Sequence, residues 1–300
     1  MQKLIIEARV NEYASRRANP HVPWTPEEIA HEAAAVREAG AAVLHFHARK
    51  PDGAPDHATE TYASILRGVR DAAQDLLVHP TLGQITVTEP DRRIAHILAL
   101  ARDPRLRPDF ASLDTGSTNI DVFEGAAAGF ATGDRTYANP TGLLRRFLGA
   151  FRAAGVRPAL ACWSIPFLRT LGALLETGEV EEPAWVLLVH TEGGILGGHP
   201  ATPEGLRAFL DHLPRGRRLH WAVCCKEGNA LPMAMEAIAR GGHVAIGIGD
   251  WAYPHLGAPT NAELVREVAA MARRAGREVA TPAEARAILG FAPVAEARAA

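Results

Sequence analysis

An α/β fold of the (β/α)8 class, a TIM barrel, is what this sequence predicts, as one domain over residues 1–300 with additional C-terminal helices. Three observations predict it. Eight apolar, strand-like segments alternate with amphipathic helical ones along 300 residues, and that length suits a barrel of about 250 residues. Right-handed β-α-β crossovers make closure natural. A doubly wound open sheet is the alternative, but no G-x-G-x-x-G follows the first strand and no P-loop occurs in the chain.

The first strand is read over Leu4 to Val10. Ile6, Ala8 and Val10 form one apolar row; Glu7, Arg9 and Asn11 form the other. Such a charged row is either a solvent-facing edge or the lining of a polar cavity. A loop rich in Arg, Asn and Pro runs from Glu12 to Trp24. A helix then starts at Thr25, with Pro26 at its first position and Glu28 completing a capping box. Ile29, Ala33 and Val36 share its buried face, and Gly40 ends it. The second strand, Ala42 to Ala48, follows at once.

The alternation persists. Tyr62, Ile65, Leu66 and Val69 stripe a helix before the strand Leu76–Thr81. Ile94, Ile97 and Leu98 stripe another before Asp109–Leu113, after which Asp114–Asn119 reads as a polar, turn-rich loop. Leu143–Ala154 is helical, Pro158–Trp163 a strand, Phe167–Glu176 a helix. Trp185–Thr191 is almost continuously apolar, as expected of a strand covered on both faces, and runs into a Gly-rich loop through His199. A helix capped by Thr202, strand seven over Leu219–Cys224, a helix over Met233–Ala239 and strand eight over His243–Ile248 complete the barrel. Capping boxes at Thr260/Glu263 and Thr281/Glu284 open two further helices.

Composition excludes several classes. The net charge of −2, with 47% hydrophobic and 22% charged residues, gives no basic surface for nucleic acid and no polybasic tract for membrane. No apolar run approaches the ~20 residues of a membrane span, and the N-terminal residues enter a strand pattern with no signal-peptide core. Cys162, Cys224 and Cys225 make no disulfide framework, so a reducing cytoplasm is the expectation. Cys224 and Cys225 could be soft metal ligands, but adjacent strand residues face opposite ways.

The chemistry gathers around Val43-Leu44-His45-Phe46-His47-Ala48-Arg49. Period two puts His45 and His47 on one face of the strand, with Phe46 opposite. Two imidazoles so placed can grip one divalent metal, with Zn–N bonds of about 2.0–2.1 Å; the alternative is two core histidines, each satisfied by a hydrogen bond. Barrel enzymes carry their sites at the C-terminal strand ends. Those ends hold Arg9, Asn11 and Glu12; His45, His47 and Arg49; His79 and Thr81; Asp114, Ser117 and Asn119; Trp163 and Ser164; His190 and Glu192; Lys226 and Glu227; and Asp250. The opposite ends lack such a set, which favours an enzyme over a scaffold. Trp24, Trp163, Trp221 and Trp251 near the strand ends suit either packing or an apolar or cationic substrate tail.

Several stretches carry a resemblance. Thr25-Pro26-Glu27-Glu28-Ile29, the run Glu38 to Arg49, Pro51-Asp52-Gly53, Gly241-Gly242-His243-Val244, Asn261 to Val265 and Ala280 to Arg286 together resemble the beta-keto acid cleavage enzyme family, over nearly the whole length. The resemblance implies a Zn2+-dependent barrel, a homotetramer, and a reaction of a small-molecule beta-keto acid with acetyl-CoA as co-substrate, giving acetoacetate and a new CoA thioester. It implies His45 and His47 as metal ligands, Thr81 as the hydroxyl after strand three, Ser112 as a residue near the substrate and Asp250 as the base taking the alpha proton. The metal acts there as a Lewis acid on the substrate's keto and carboxylate oxygens. The enolate then attacks acetyl-CoA, CoA migrates and a retro-Claisen step releases acetoacetate. No CoA-binding motif is readable independently.

Three positions depart from the family pattern. The third metal ligand, a Glu, is Gly249 here; the Arg paired with the Asp is Ala245; a substrate-contacting Glu on strand five is Ala161. Strand eight lies beside strand one in a closed barrel, so the expectation is that Glu7 completes the metal shell and Arg9 supplies the positive charge. Glu12 is a competing ligand, and Glu7 and Arg9 simply pairing inside the barrel is the plain alternative. Asn11, Glu12, Asp114, Ser117 and Asn119 are expected around the substrate. Two other functions stand beside this one. A different metal-dependent barrel lyase or hydrolase would act on a small carbonyl compound, with His79, His190 and Asp250 around the metal. A non-catalytic binding protein would keep only the barrel.

Overall fold

The structure, a computed structural model, describes residues 2–83 and 86–293. Eight parallel strands follow the order β3-β2-β1-β10-β9-β8-β7-β4. They are β1 (Ile6–Arg9), β2 (Val43–Phe46), β3 (Leu77–Pro80), β4 (Phe110–Asp114), β7 (Arg157–Cys162), β8 (Ala184–Thr191), β9 (Leu219–Lys226) and β10 (His243–Ile246). Helices α1 (Pro26–Ala39) to α8 (Asn261–Arg274) follow the barrel strands in turn, and α9 (Pro282–Ile288) is additional. The expected alternation is what the chain forms, and both expected C-terminal helices are present, α8 as the partner of the last barrel strand and α9 beyond it. Between β3 and β4 no ladder is made among the described residues. Asp109 joins them: its N–H donates to the Val78 carbonyl at 3.1 Å, and its carboxylate accepts from Val78 N–H at 2.9 Å.

Local chemistry sets the helix ends as expected. Thr25 and Glu28 form the capping box of α1, and Gly40 ends it with φ +116°, a conformation that costs glycine least. The boxes at Thr260/Glu263 and Thr281/Glu284 are both formed. One element departs. The stretch read as a loop after the fourth barrel strand contains half of an antiparallel hairpin, β5 (Thr118–Asn119) with β6 (Thr136–Tyr137). Two-residue strands carry too little pattern to show in a sequence.

Register decides which side chains fill the barrel. Arg9 lies opposite His45 and His45 opposite His79, Glu7 lies opposite Ala245, and Asp114 lies opposite Ala161. Directly paired residues point to the same face, so Glu7, Arg9, His45, His47, His79, Thr81, Ser112 and Asp114 all face the interior. The charged row of β1 is therefore cavity lining, not an edge; Glu7 is fully buried.

Candidate active site

A small cavity of about 80 Å³ opens at the C-terminal strand ends. One half is polar: Arg9, Glu12, His45, His47, Thr81, Ser112, Asp114, Lys226 and Asp250 line it. The other half is mostly small or apolar, with Ala159, Ala161, Leu187, Val189 and Cys224 from β7, β8 and β9.

Glu12 is the junction of the polar half. Its carboxylate lies 2.8 Å from His45 Nε2 and 3.0 Å from His47 Nε2. The residue reaches there from an unusual backbone, φ +35°, a strained conformation for a side chain with a Cβ. Arg49 holds that turn: its guanidinium donates to the carbonyls of Glu12 at 2.7 Å, Ala14 at 3.3 Å and Gly53 at 2.6 Å. Thus the arginine two residues after the second histidine has a physical task, which is to pin the carboxylate over both imidazoles.

The protonation states suit a metal. His45 Nδ1 is 2.7 Å from the carbonyl of His79, which can only accept, so Nδ1 carries the hydrogen and Nε2 presents a lone pair to Glu12. Burial, and then Arg9, push His45 down to about 3; burial lowers His47 too. Burial tends to raise Glu12, but the Arg9 guanidinium holds it well below the usual carboxylate range. A lone pair facing a carboxylate inside the protein calls for a cation between them. The ligating atoms of Glu12, His45 and His47 lie within 4.8 Å of one another, as do those of Glu7, His45 and His79. The second set is less available: His79 Nδ1 is 3.3 Å from Glu7 and its Nε2 2.8 Å from Ser112 Oγ, so both nitrogens have partners.

Glu7 therefore sits one layer deeper than expected. Its oxygens accept from His79, from Arg9 at 3.2 Å and from Trp185 Nε1 at 3.1 Å. The structure brings Glu12, not Glu7, between His45 and His47. The alternative for Glu7, a pairing with Arg9 inside the barrel, is formed. Arg9 spreads its guanidinium over three carboxylates, Asp250 through Nε at 2.6 Å, Glu12, and Glu7. Burial, together with the nearby Glu12, pushes Asp250 up to about 6 despite Arg9.

Gly249 explains why the carboxylate comes from the turn after the first strand. A Cβ there would stand 2.7 Å from Asn11 N and 2.8 Å from both Arg9 O and Glu12 N. The backbone of the Glu12 turn occupies the room a side chain at position 249 would need.

Other expected residues divide. Thr81 and Ser112 line the cavity. Asp114 does too, accepting from Tyr137 Oη at 2.6 Å and Trp163 Nε1 at 2.7 Å, with burial raising its carboxyl. Asn11 is not free for a substrate: its amide donates to the carbonyls of Pro23 and His47 and accepts from His47 N–H, a clamp between β1 and β2. Ser117 accepts from Asn139 N–H, and Asn119 is exposed in the hairpin; neither lines the cavity. His190 is also out: it pairs with Cys225 in register, faces Phe209 of α6 (Pro203–Asp211), and bonds the Pro200 carbonyl. A metal set of His79, His190 and Asp250 is not assembled.

Sequence alone does not mark three contributors as site residues. Lys226 reads only as a strand-end residue; it lines the cavity, with its Nζ 3.8 Å from Glu12. Tyr137 arrives from β6, and Tyr13 packs edge-on to His47 with centroids 4.7 Å apart. Lys226 shares the parity of Cys224, which was the available signal; Tyr137 had none.

Comparison with known proteins follows the same lines. Residues 3–291 match the family described as beta-keto acid cleavage enzyme. A 3-keto-5-aminohexanoate cleavage enzyme from Acetoanaerobium sticklandii is 32% identical over 294 residues, covering 97% of this chain and 99% of that protein. A 3-oxoadipate:acetyl-CoA acetyltransferase from Cupriavidus necator is 30% identical over 279 residues, covering 92% and 90%. Among solved structures, ObcA in ternary complex with a C4-CoA adduct and oxalate superposes with a TM-score of 0.69 at 16% identity, covering 91% of this chain and 68% of that one; at that identity the likeness speaks for the barrel alone.

Proposed function

We propose, on the premise that this chain belongs to the beta-keto acid cleavage enzyme family, that it converts a small beta-keto acid and acetyl-CoA into acetoacetate and a new CoA thioester. The observation that carries the reading is Glu12 reaching both His45 and His47 while Arg9 holds Asp250 beside them. His45, His47 and Glu12 would hold the metal, and two imidazoles, one carboxylate and an open position suit zinc. Bound there, it supplies Lewis-acid polarisation of a substrate carbonyl.

The chain's own residues do the rest. Lys226 directs an ammonium into the cavity and offers a counter-charge to the substrate carboxylate. Asp250 takes the alpha proton, for which a carboxyl held near 6 is ionised at neutral pH and still basic enough to be useful. Arg9 positions Asp250 and Glu12 rather than meeting substrate, since each of its nitrogens already faces a carboxylate. The deprotonated alpha carbon attacks the acetyl carbonyl, CoA passes to the original keto carbonyl, and the bond between that carbonyl and the alpha carbon breaks. Atoms balance: the acetyl group leaves on the alpha carbon, Asp250 returns its proton to that carbon to give acetoacetate, and the remaining acyl group leaves on sulfur. Thr81 keeps a hydroxyl hydrogen available, because its Oγ1 accepts from Gly83 N–H.

The homotetramer that the family resemblance implies needs an interface between copies, and the exposed Phe123, Phe130 and Leu196, which gather on the loops after β4 and β8, offer an apolar surface for one. A cytoplasmic enzyme is supported by three buried free cysteines; among the described residues no helix is long and apolar enough to cross a membrane.

The test is to incubate zinc-loaded protein with acetyl-CoA and a panel of beta-keto acids and to assay acetoacetate. Acetoacetate that depends on both substrates supports the reading. Keto-acid consumption without acetyl-CoA points to a metal-dependent lyase or hydrolase instead.

A further inference from the structure

The catalytic cavity, at about 80 Å³, holds the reacting ends of the substrates and no more. The rest of a coenzyme A molecule has to leave it along the protein. One neighbouring groove shares a wall with the cavity: Tyr137 lines both. That groove measures about 880 Å³ and lies between the β5–β6 hairpin and the first turns of α3 (Pro90–Leu100) and α4 (Thr141–Ala154).

Its chemistry is that of an anion site. Arg93, Arg135 and Arg146 line it against a single acid, Asp134. Arg93 is 2% exposed; it gives one nitrogen to Asn139 Oδ1 at 2.9 Å, while its Nε has no partner. A buried guanidinium left short of acceptors beside a groove implies one that arrives with a ligand. Among the described residues Arg146 forms an ion pair only with the exposed Asp91, at 3.1 Å, and Arg135 forms none. Both helix N-termini lack a side-chain cap, and the first turn of α4 carries no acid. At Gly142, in that turn, a Cβ would meet nothing within 4 Å, so the amide end is open. Uncapped amides at the positive end of a helix favour phosphate.

We infer that this groove binds the phosphates of coenzyme A, with the pantetheine arm running past Tyr137 into the catalytic cavity. The inference rests on the acetyl-CoA reaction proposed above. Arg93 and the α4 amides take one phosphate, and Arg135 and Arg146 take the more exposed ones.

The test uses the full chain loaded with zinc and titrated calorimetrically with CoA and, separately, with 3′,5′-ADP as a probe of the nucleotide end. R135E/R146E lies on the surface and is expected to fold. Its affinity for both probes falls by about tenfold or more, as expected for charge-assisted contacts. KM for acetyl-CoA rises to match, while KM for the keto acid and bound zinc hold. G142D, which places a carboxylate at the α4 amides, weakens 3′,5′-ADP in the same direction. Wild-type protein that makes acetoacetate, with CoA affinity unmoved by R135E/R146E, overturns the groove and leaves the reaction standing. Wild-type protein that binds no CoA overturns both.

Discussion

Glu12 and Gly249 press against each other at the mouth of the barrel: a Cβ on Gly249 would come within 2.8 Å of the Glu12 backbone nitrogen. The relationship makes the two positions exclusive. A side chain at 249 and the left-handed turn that delivers the Glu12 carboxylate cannot share that space, so this chain's ligand comes from the turn after β1.

Glu12→Gln is accordingly expected to lower zinc affinity by about tenfold or more, and Glu7→Gln to lower it less, because Glu7 bonds His79 and not the facing imidazole nitrogens. Equilibrium dialysis with metal analysis reads both. Zinc retained by the Glu12 variant and lost by the Glu7 variant would reverse the assignment. Adding Gly249→Glu to the Glu12→Gln protein should not restore binding, since the backbone leaves no room for it.

Lys226→Met should raise KM for the keto acid about tenfold or more with a smaller change in kcat, the pattern of lost ground-state binding to a charged group. Bound zinc should stay level. An unchanged KM would remove Lys226 from carboxylate recognition.

Arg9→Met leaves Asp250, Glu12 and Glu7 buried around an absent charge. Breaking a buried ion-pair network of this kind costs about 3–5 kcal/mol. A clear drop in the denaturation midpoint is expected, read at neutral pH with metal removed. A midpoint equal to that of the unmodified protein would show the network to be dispensable.

Asp250 and Glu7 respond to pH with opposite sign. Asp250 is raised to about 6 from 3.8, so its share of stability is full below 3.8 and is lost as pH rises through about 6. Glu7, lowered to about 2 from 4.5 because His79 and Arg9 outweigh burial, contributes above 4.5 and loses that share as pH falls through about 2. For catalysis the ionised Asp250 is the working form, so kcat should fall on the acid side with an apparent pKa at or below about 6. Zinc on Glu12 would cancel part of the charge that raises it. Asp250→Asn should lower kcat by about 10²–10⁴ and abolish that limb; a persisting limb would assign it to another group.

What could be read from sequence was local or periodic. Thr25 with Glu28, and the pair His45 and His47, announce themselves within a few residues, and the alternation of strands and helices follows from apolar spacing. His79 and His190 show the limit. Both sit at the ends of strands buried on each face, where no polar alternation marks the inward side; only register turns His79 in and His190 out. Glu12 was visible as a rival to Glu7, but its left-handed turn depends on Arg49, 37 residues away in sequence. Tyr137 reaches Asp114 from a hairpin too short to leave a pattern.

The join between β3 and β4 has a dynamic consequence. A carboxylate and one amide hold these strands where a full ladder holds every other neighbouring pair, so the Asp109 side chain acts as a clasp on an otherwise continuous hoop. Arg70 and Arg286 both bond that carboxylate, at 3.1 and 2.6 Å, so its grip depends on residues far along the chain. In deuterium, the backbone protons of Val78 and Asp109 should be the first in the strand ring to be replaced, marking the place where the cylinder parts before it melts.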